Sequence, residues 1–186
     1  VILIGTPGAG IYKTTNGGAT WAPVFDSKPF LYIGAIAFDP NNASIVYAGT
    51  GDPDVPFTVF IGDGMYKSTD GGNTWTQSSF TDPKNFIIYC IHAFDADIAF
   101  VTASTIYKTT NRGTTWTAAT GVFTNASSFP NTIHFFDQNN GVAMGDPVDG
   151  YFEIYTTTNG GVNWIRVPGS NIPAPLTGET GVVDWQ

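Results

Sequence analysis

Residues 65–75 read MYKSTDGGNTW, and three other stretches repeat them almost letter for letter: IYKTTNGGATW at 11–21, IYKTTNRGTTW at 106–116 and IYTTTNGGVNW at 154–164. The closing tryptophans, Trp21, Trp75, Trp116 and Trp164, stand 54, 41 and 48 positions apart, a spacing typical of propeller blades. Each copy opens with an aliphatic residue and a tyrosine before Thr or Ser, the alternation of a half-buried strand. Asn16, Asp70, Asn111 or Asn159 follows, with Gly18, Gly72, Gly113 or Gly161 two residues on. A short side-chain carbonyl there accepts backbone amides just ahead of it, and glycine takes the positive φ that closes a tight turn. The tryptophan then opens the return strand, where an indole covers the hairpin and keeps its N–H for a partner. Four such hairpins imply four similar blades.

The pattern S/T-x-D/N-x-G-x-T-W resembles the Asp-box, or BNR, repeat of the sialidase-like, sortilin-like and xyloglucanase-like β-propellers. Ser68, Asp70, Gly72, Thr74 and Trp75 match it fully; Thr14, Asn16, Gly18, Thr20 and Trp21, and Thr109, Asn111, Gly113, Thr115 and Trp116, differ by Asn for Asp. In the last box Thr157, Asn159, Gly161 and Trp164 match, and Asn163 stands where Thr is expected. Asn keeps the carbonyl acceptor and loses the charge, so capping survives. The resemblance implies an all-β propeller of four-stranded antiparallel blades. It does not fix an activity, because the same boxes serve glycosidases, receptors, assembly factors and adhesins.

Aligned on the boxes, YIGAIAFD (32–39), IIYCIHAFD (87–95) and TIHFFD (132–137) are inner strands, and SIVYAGTG (44–51), DIAFVTA (97–103) and GVAMGD (141–146) second strands. Blade 1 then spans about 1–27, blade 2 about 31–80, blade 3 about 86–120 and blade 4 about 131–168, with the first strand of a next or closing blade at about 180–186. Blade 1 lacks an inner strand, since VILIGT (1–6) corresponds to the second strand of the others. Either the final strand closes a ring of four blades, or the chain is part of a larger propeller of about six to eight blades. The second reading is preferred, with remaining blades of a parent chain or a second copy as partners.

Composition agrees: 42% hydrophobic and 15% aromatic residues suffice for a core, and 22 Gly and 12 Pro suit many turns. One cysteine, Cys90, excludes an internal disulfide and reads as a buried thiol on an inner strand. Fifteen acidic residues against seven basic ones give a formal net charge of −8, which disfavours nucleic acid as a partner. Lys13, Lys67 and Lys108 share one repeat position and read as solvated strand surface. There is no apolar run long enough for a membrane span, and the opening VILIGTPGAG lacks signal-peptide character. A secreted or cell-surface, bacterial origin is implied by the resemblance instead.

Chemistry is expected on the face opposite the boxes, in the two long loops joining second to third strands. GDPDVPFTVFIGDG (51–64) carries Asp52, Asp54 and Asp63 with Phe57 and Phe60; GDPVDGYFE (145–153) carries Asp146, Asp149 and Glu153 with Tyr151 and Phe152. Asp52 and Asp146, each in a Gly-Asp-Pro triplet, are the catalytic candidates, since two facing carboxylates can hydrolyse a glycoside. The others are candidates for ligand binding, the rings by stacking on sugars. Asp before Pro also simply starts turns. A calcium site on Asp52 and Asp54 is conceivable but lacks the spacing of a known loop motif. His92 and His134 fall three residues before Asp95 and Asp137, with Ile36 at the matching position of blade 2; two histidines make a weak metal case, and no metal or other cofactor is assigned.

A sialidase centre, which the resemblance associates with three arginines, is not expected here, because only Arg112 and Arg166 are present. The leading reading is a non-catalytic module presenting an acidic, aromatic loop face to a glycan or protein. A glycoside hydrolase of the xyloglucanase-like type ranks second, and an assembly factor third.

Overall fold

The computed structural model describes residues 1–51, 60–80, 82 and 87–180. It contains fifteen strands in four antiparallel sheets. Blade 1 comprises β1 (Ile2–Thr6), β2 (Gly10–Thr14) and β3 (Ala22–Pro23). Blade 2 has β4 (Ile33–Asp39), β5 (Asn42–Thr50), β6 (Met65–Ser68) and β7 (Thr76–Gln77). Blade 3 has β8 (Cys90–Ala93), β9 (Ala99–Thr102), β10 (Ile106–Thr109) and β11 (Thr117–Ala118). Blade 4 has β12 (Pro130–Phe135), β13 (Gly141–Val148), β14 (Tyr151–Thr157) and β15 (Ile165–Arg166). Blade 1 therefore has three strands and the other blades four, as the alignment on the boxes implies. The strand expected near residue 180 lies almost wholly outside the described residues.

Successive sheets pack through their inner edges, β1 on β4, β4 on β8 and β8 on β12. No comparable packing joins β12 to β1 among the described residues, so the blades form an open arc. The hydrophobic cores lie between blades, not within them. Adjacent residues of a strand point to opposite faces, and the Ile-Tyr pair of the repeat uses this to serve two interfaces at once. Ile11, Met65 and Ile106 face the following blade; Tyr66, Tyr107 and Tyr155 face the preceding one. Phe25, Phe80 and Phe123, each a few residues beyond a box, complete the same three cores. Phe25 meets Tyr66 edge to face at 4.9 Å, as Phe80 meets Tyr107 at 4.9 Å.

Every box is closed by the same bonds. The Thr or Ser hydroxyl donates to the Asn or Asp Oδ1 at 2.8–3.1 Å and accepts the glycine N–H at 2.8–3.0 Å. The amide four residues after the Asn or Asp donates back to that Oδ1 at 2.9–3.0 Å. One further link changes polarity with the residue type. The Thr74 hydroxyl donates to Asp70 Oδ2 at 2.6 Å, whereas Asn16 and Asn111 use Nδ2 to donate to Thr20 and Thr115 at 2.9 and 2.8 Å. Asn163 replaces the threonine in the last box and leaves that link out.

The hydroxyl and amide of Thr74, with Ser68 and the Asn73 amide, hold the Asp70 carboxyl well below the ordinary carboxylate range. Such a group adds stability above its unfolded pKa of about 4 and loses it as pH falls. Asp70→Asn is thus expected to lower the urea midpoint at pH 7 and to narrow that gap at pH 3; a gap constant with pH would refute the assignment.

Two expectations need correction. The repeated lysines are not solvated surface but reach from each blade to the turn of the next. Lys13 Nζ donates to Asn73 Oδ1 at 2.7 Å, Lys67 to the Arg112 and Ala96 carbonyls at 2.9 and 3.2 Å, and Lys108 to the Gly160 carbonyl at 2.7 Å. Their stems cross the residue paired with them in the ladder, Leu3, Tyr47 or Phe100, and the ammonium groups of Lys67 and Lys108 sit 5.0 and 5.2 Å from the Tyr47 and Phe100 rings. Partial burial pushes both lysines below their ordinary range. The tryptophans likewise bridge blades: Trp75 is 5% exposed and meets Phe25 at 5.6 Å, and Trp116 meets Tyr47 and Phe80. Among the described residues Trp116 finds the expected indole partner, Ser78 Oγ at 2.9 Å, whereas Trp75 and Trp164 bury Nε1 without one. Cys90 is half-buried, and its thiol lies 3.7 Å from the Ile133 carbonyl on the neighbouring inner strand.

Candidate functional site

Among the described residues, the face opposite the boxes is formed by residues 60–64, the β13–β14 connection and the entrances to β4, β8 and β12. Blade 4 supplies its best-defined part. Asp149 and Gly150, at φ 56 and 83, make a two-residue turn between β13 and β14. Asp-Gly is the usual sequence where both turn residues need positive φ. Asp149 therefore has a structural reason for its place, although its side chain is exposed. Asp149, Tyr151 and Phe152 line a cleft of about 410 Å³ with Arg166, Pro168 and Ser170. The Tyr151 ring, 39% exposed, lies on Gly169, where an added Cβ would come within 2.6 Å of it.

Asp146 sits apart from that cleft. The β13–β14 register slips between Gly145 and Pro147, so Asp146 is the extra residue of a β-bulge. Bulges of this kind re-aim a side chain at the rim of a sheet. Here the carboxylate turns towards the entrance of β12, where Asn131 Nδ2 donates to it at 2.7 Å and Asp146 N donates to the Phe129 carbonyl at 3.0 Å. Asp146 remains half-buried.

Aromatic rings flank the entrances to the inner strands. Tyr32, before β4, stacks on Phe60 at 4.1 Å and 10°. Tyr89, before β8, meets Phe129, before β12, at 4.7 Å, and Phe129 is 38% exposed. Of this group only Phe60 was singled out from sequence. The signal for the others was an aromatic residue placed at or just before the start of each inner strand.

Asp63 and Glu153 are engaged inside the blades. Tyr66 Oη donates to Asp63 Oδ2 at 2.6 Å, Tyr107 Oη to Asp82 Oδ1 at 3.2 Å, and Tyr155 Oη to Glu153 Oε1 at 3.3 Å. Glu153 is 1% exposed, so it is enclosed between blades and not presented to a ligand. Burial, with the neighbouring carboxylate, pushes the Tyr66 phenol above its ordinary range. Each repeat tyrosine from blade 2 onwards thus has a carboxylate, drawn from a different place in the chain. Asp82, also accepting from the Ser104 amide at 2.9 Å, had no sequence signal at all.

Asp52, Asp54 and Phe57 lie outside the described residues, and with them the Asp52–Asp146 separation and the calcium reading. His92 and His134 do come together, ring centroids 5.2 Å apart, and burial with the nearby His134 pushes His92 down to about 4. Across the ladder they pair with Phe100 and Val142, so their counterpart in blade 2 is Ala37, paired with Tyr47, and not Ile36. A bulge between Phe38 and Asp39 displaces the count by one. Among the described residues no three His, Cys, Asp or Glu side chains gather as a metal site, and no helix is long and apolar enough to cross a membrane.

Comparison with known proteins agrees with this architecture. The xyloglucanase Xgh74A of Acetivibrio thermocellus is 30% identical over 185 aligned positions, covering 93% of this chain and 18% of that protein. The crystal structure of an ancestral GH74 enzyme superposes with a TM-score of 0.70 at 24% identity, over 89% of this chain and 23% of that one. YCF48 from Cyanidioschyzon merolae superposes with a TM-score of 0.64 at 16% identity, over 93% and 54% of the two chains. The two structures share the fold, and the chain spans under a fifth of its curated relative. The arc matches part of a larger propeller. The family model Sortilin-Vps10, described as sortilin, neurotensin receptor 3, matches residues 63–171, from the Asp63–Tyr66 pair through the cleft of blade 4. With more than half of its length so matched, the chain belongs to the Sortilin-Vps10 family of Asp-box propellers.

Proposed function

We propose that the loop face of this arc binds a neutral β-glucan of the xyloglucan type, as one wall of the binding surface of an exported propeller protein. The observation that carries this reading is the set of rings at the inner-strand entrances, Tyr32 with Phe60 and Tyr89 with Phe129, beside the bulged Asp146. Aromatic faces stack on sugar rings, and a half-buried carboxylate at the rim of the sheet is an acceptor for sugar hydroxyls. The similarity to a xyloglucanase supports a glycan in preference to a protein ligand. It also favours a second reading, in which Asp146 is one of two catalytic carboxylates and the whole protein is hydrolytic.

Native affinity electrophoresis in xyloglucan gels tests the first reading. The chain should be retarded, and Phe129→Ala should weaken retardation about 2- to 10-fold, the worth of one aromatic contact. Unretarded migration would refute it. Asp146→Asn in the full-length protein separates the two readings: loss of reducing-sugar release with retardation intact assigns catalysis, and loss of neither leaves Asp146 outside the site.

A further inference from the structure

One residue on the opposite face breaks the repeat. In the box turns of blades 1, 2 and 4 the residue after the Asn or Asp is glycine, Gly17, Gly71 or Gly160, at φ 64–71. In blade 3 it is Arg112, at φ 65. A side chain is disfavoured in that left-handed conformation, so its presence calls for a compensating role. Stability does not supply one. The side-chain bond that Arg112 makes, Nε to Asp97 Oδ1 at 2.6 Å, joins groups that are 70% and 52% exposed, and exposed ion pairs contribute little.

We propose that Arg112 heads a binding site for the carboxylate of an acidic saccharide, in the groove between blades 2 and 3. The groove has a volume of about 550 Å³, within the span of about 300–1,000 Å³ common for small-molecule clefts. Among the described residues the Nη groups of Arg112 bond to nothing, which leaves the guanidinium fork able to take a carboxylate. The turn beneath it is fixed in advance. Lys67 donates to the Arg112 carbonyl at 2.9 Å, and the Ser78 and Ser79 hydroxyls donate to the carbonyls of Gly113 and Thr114. Three successive carbonyls held by the preceding blade keep the arginine in place before a ligand arrives, which lowers the ordering cost of binding.

The remaining walls choose the ligand class. Thr69, Thr74, Thr76, Gln77, Ser79 and Thr114 line the groove beside Lys67 with hydroxyls, methyls and an amide, and no Val, Leu, Ile, Met or aromatic side chain joins them. A peptide would find no pocket for an apolar anchor there. A sugar would find partners for its hydroxyls, and a uronate would place its carboxylate on Arg112. This site lies on the box side and takes a charged ligand, so it stands or falls independently of neutral-glucan binding on the loop face.

Calorimetry with trigalacturonate and its fully methyl-esterified form, which keeps the sugar hydroxyls but caps each carboxylate as a neutral ester, tests the proposal. The wild-type chain should bind trigalacturonate about tenfold or more tightly than the ester, the worth of a charge-assisted contact. Arg112→Gly should abolish that preference while leaving Tm unchanged or higher, because it restores the glycine of the other boxes. Asp97→Asn, which removes the competing carboxylate, should tighten trigalacturonate binding several-fold. The proposal is overturned if Arg112→Gly retains the preference or lowers Tm, if Asp97→Asn weakens binding, or if trigalacturonate fails to bind at millimolar concentration, including the case where an acidic peptide binds in its place.

Discussion

Trp75→Ala is expected to lower the unfolding free energy by about 3–5 kcal/mol, the range for a large aromatic removed from a packed core. Trp21→Ala, at the same position of the same motif, is expected to cost under about 1 kcal/mol. The contrast follows from what each indole meets. Trp75 is 5% exposed and wedged against Phe25 of the preceding blade, whereas Trp21 is 37% exposed. Urea unfolding of the two variants measures the difference. Equal losses would show that the tryptophan stabilises its own hairpin and not the joint between sheets.

Gly34→Ala is expected to destabilise by about 3 kcal/mol or more, at the upper end for overpacking. Gly34 is the bulged residue between Ile33 and Ala35 of β4. A Cβ there would lie 2.1 Å from the Ile88 carbonyl oxygen and 2.7 Å from that of Gly51. Both obstacles are backbone, in segments tied by the Ile88 N–H to Thr50 carbonyl bond at 3.2 Å, so neither can swing away as a side chain would. Gly121→Ala provides the control. Gly121 has φ 75 and no atom within 4 Å of an added Cβ, so only conformational strain of about 1–2 kcal/mol is expected. A similar urea midpoint for the two variants would mean that the inner strands separate more easily than their packing implies.

The boxes were legible because their chemistry is local. The Thr14 hydroxyl and the Asn16 side chain bond to groups within the same seven residues, so a short pattern specifies the whole hairpin. The strand order followed from repeating that hairpin. The joints between blades were hidden because their two halves are far apart in sequence. Lys13 meets Asn73 and Lys108 meets Gly160, and a lysine read beside its own neighbours looks like any solvated lysine. Only its recurrence at one repeat position hinted at more.

The loop face was legible in part. Tyr151, Phe152 and Asp149 do share a cleft. Asp146 stands elsewhere because a bulge interrupts the alternation on which the reading depended. Glu153 looked like one more loop acid, yet its strand register turns it towards Tyr155. Asp82 answers Tyr107 from 25 residues upstream, a pairing that no fixed spacing announces.

The direction of the lysine contacts bears on how the chain is made. Each of the first three sheets is gripped by a turn that comes later in the sequence, and translation delivers the earlier sheet first. During synthesis every newly emerged sheet thus keeps one raw apolar side until the following bend leaves the ribosome. Thr156 holds the place of the lysine in the fourth sheet, which therefore lacks the ammonium that makes this grip in the first three.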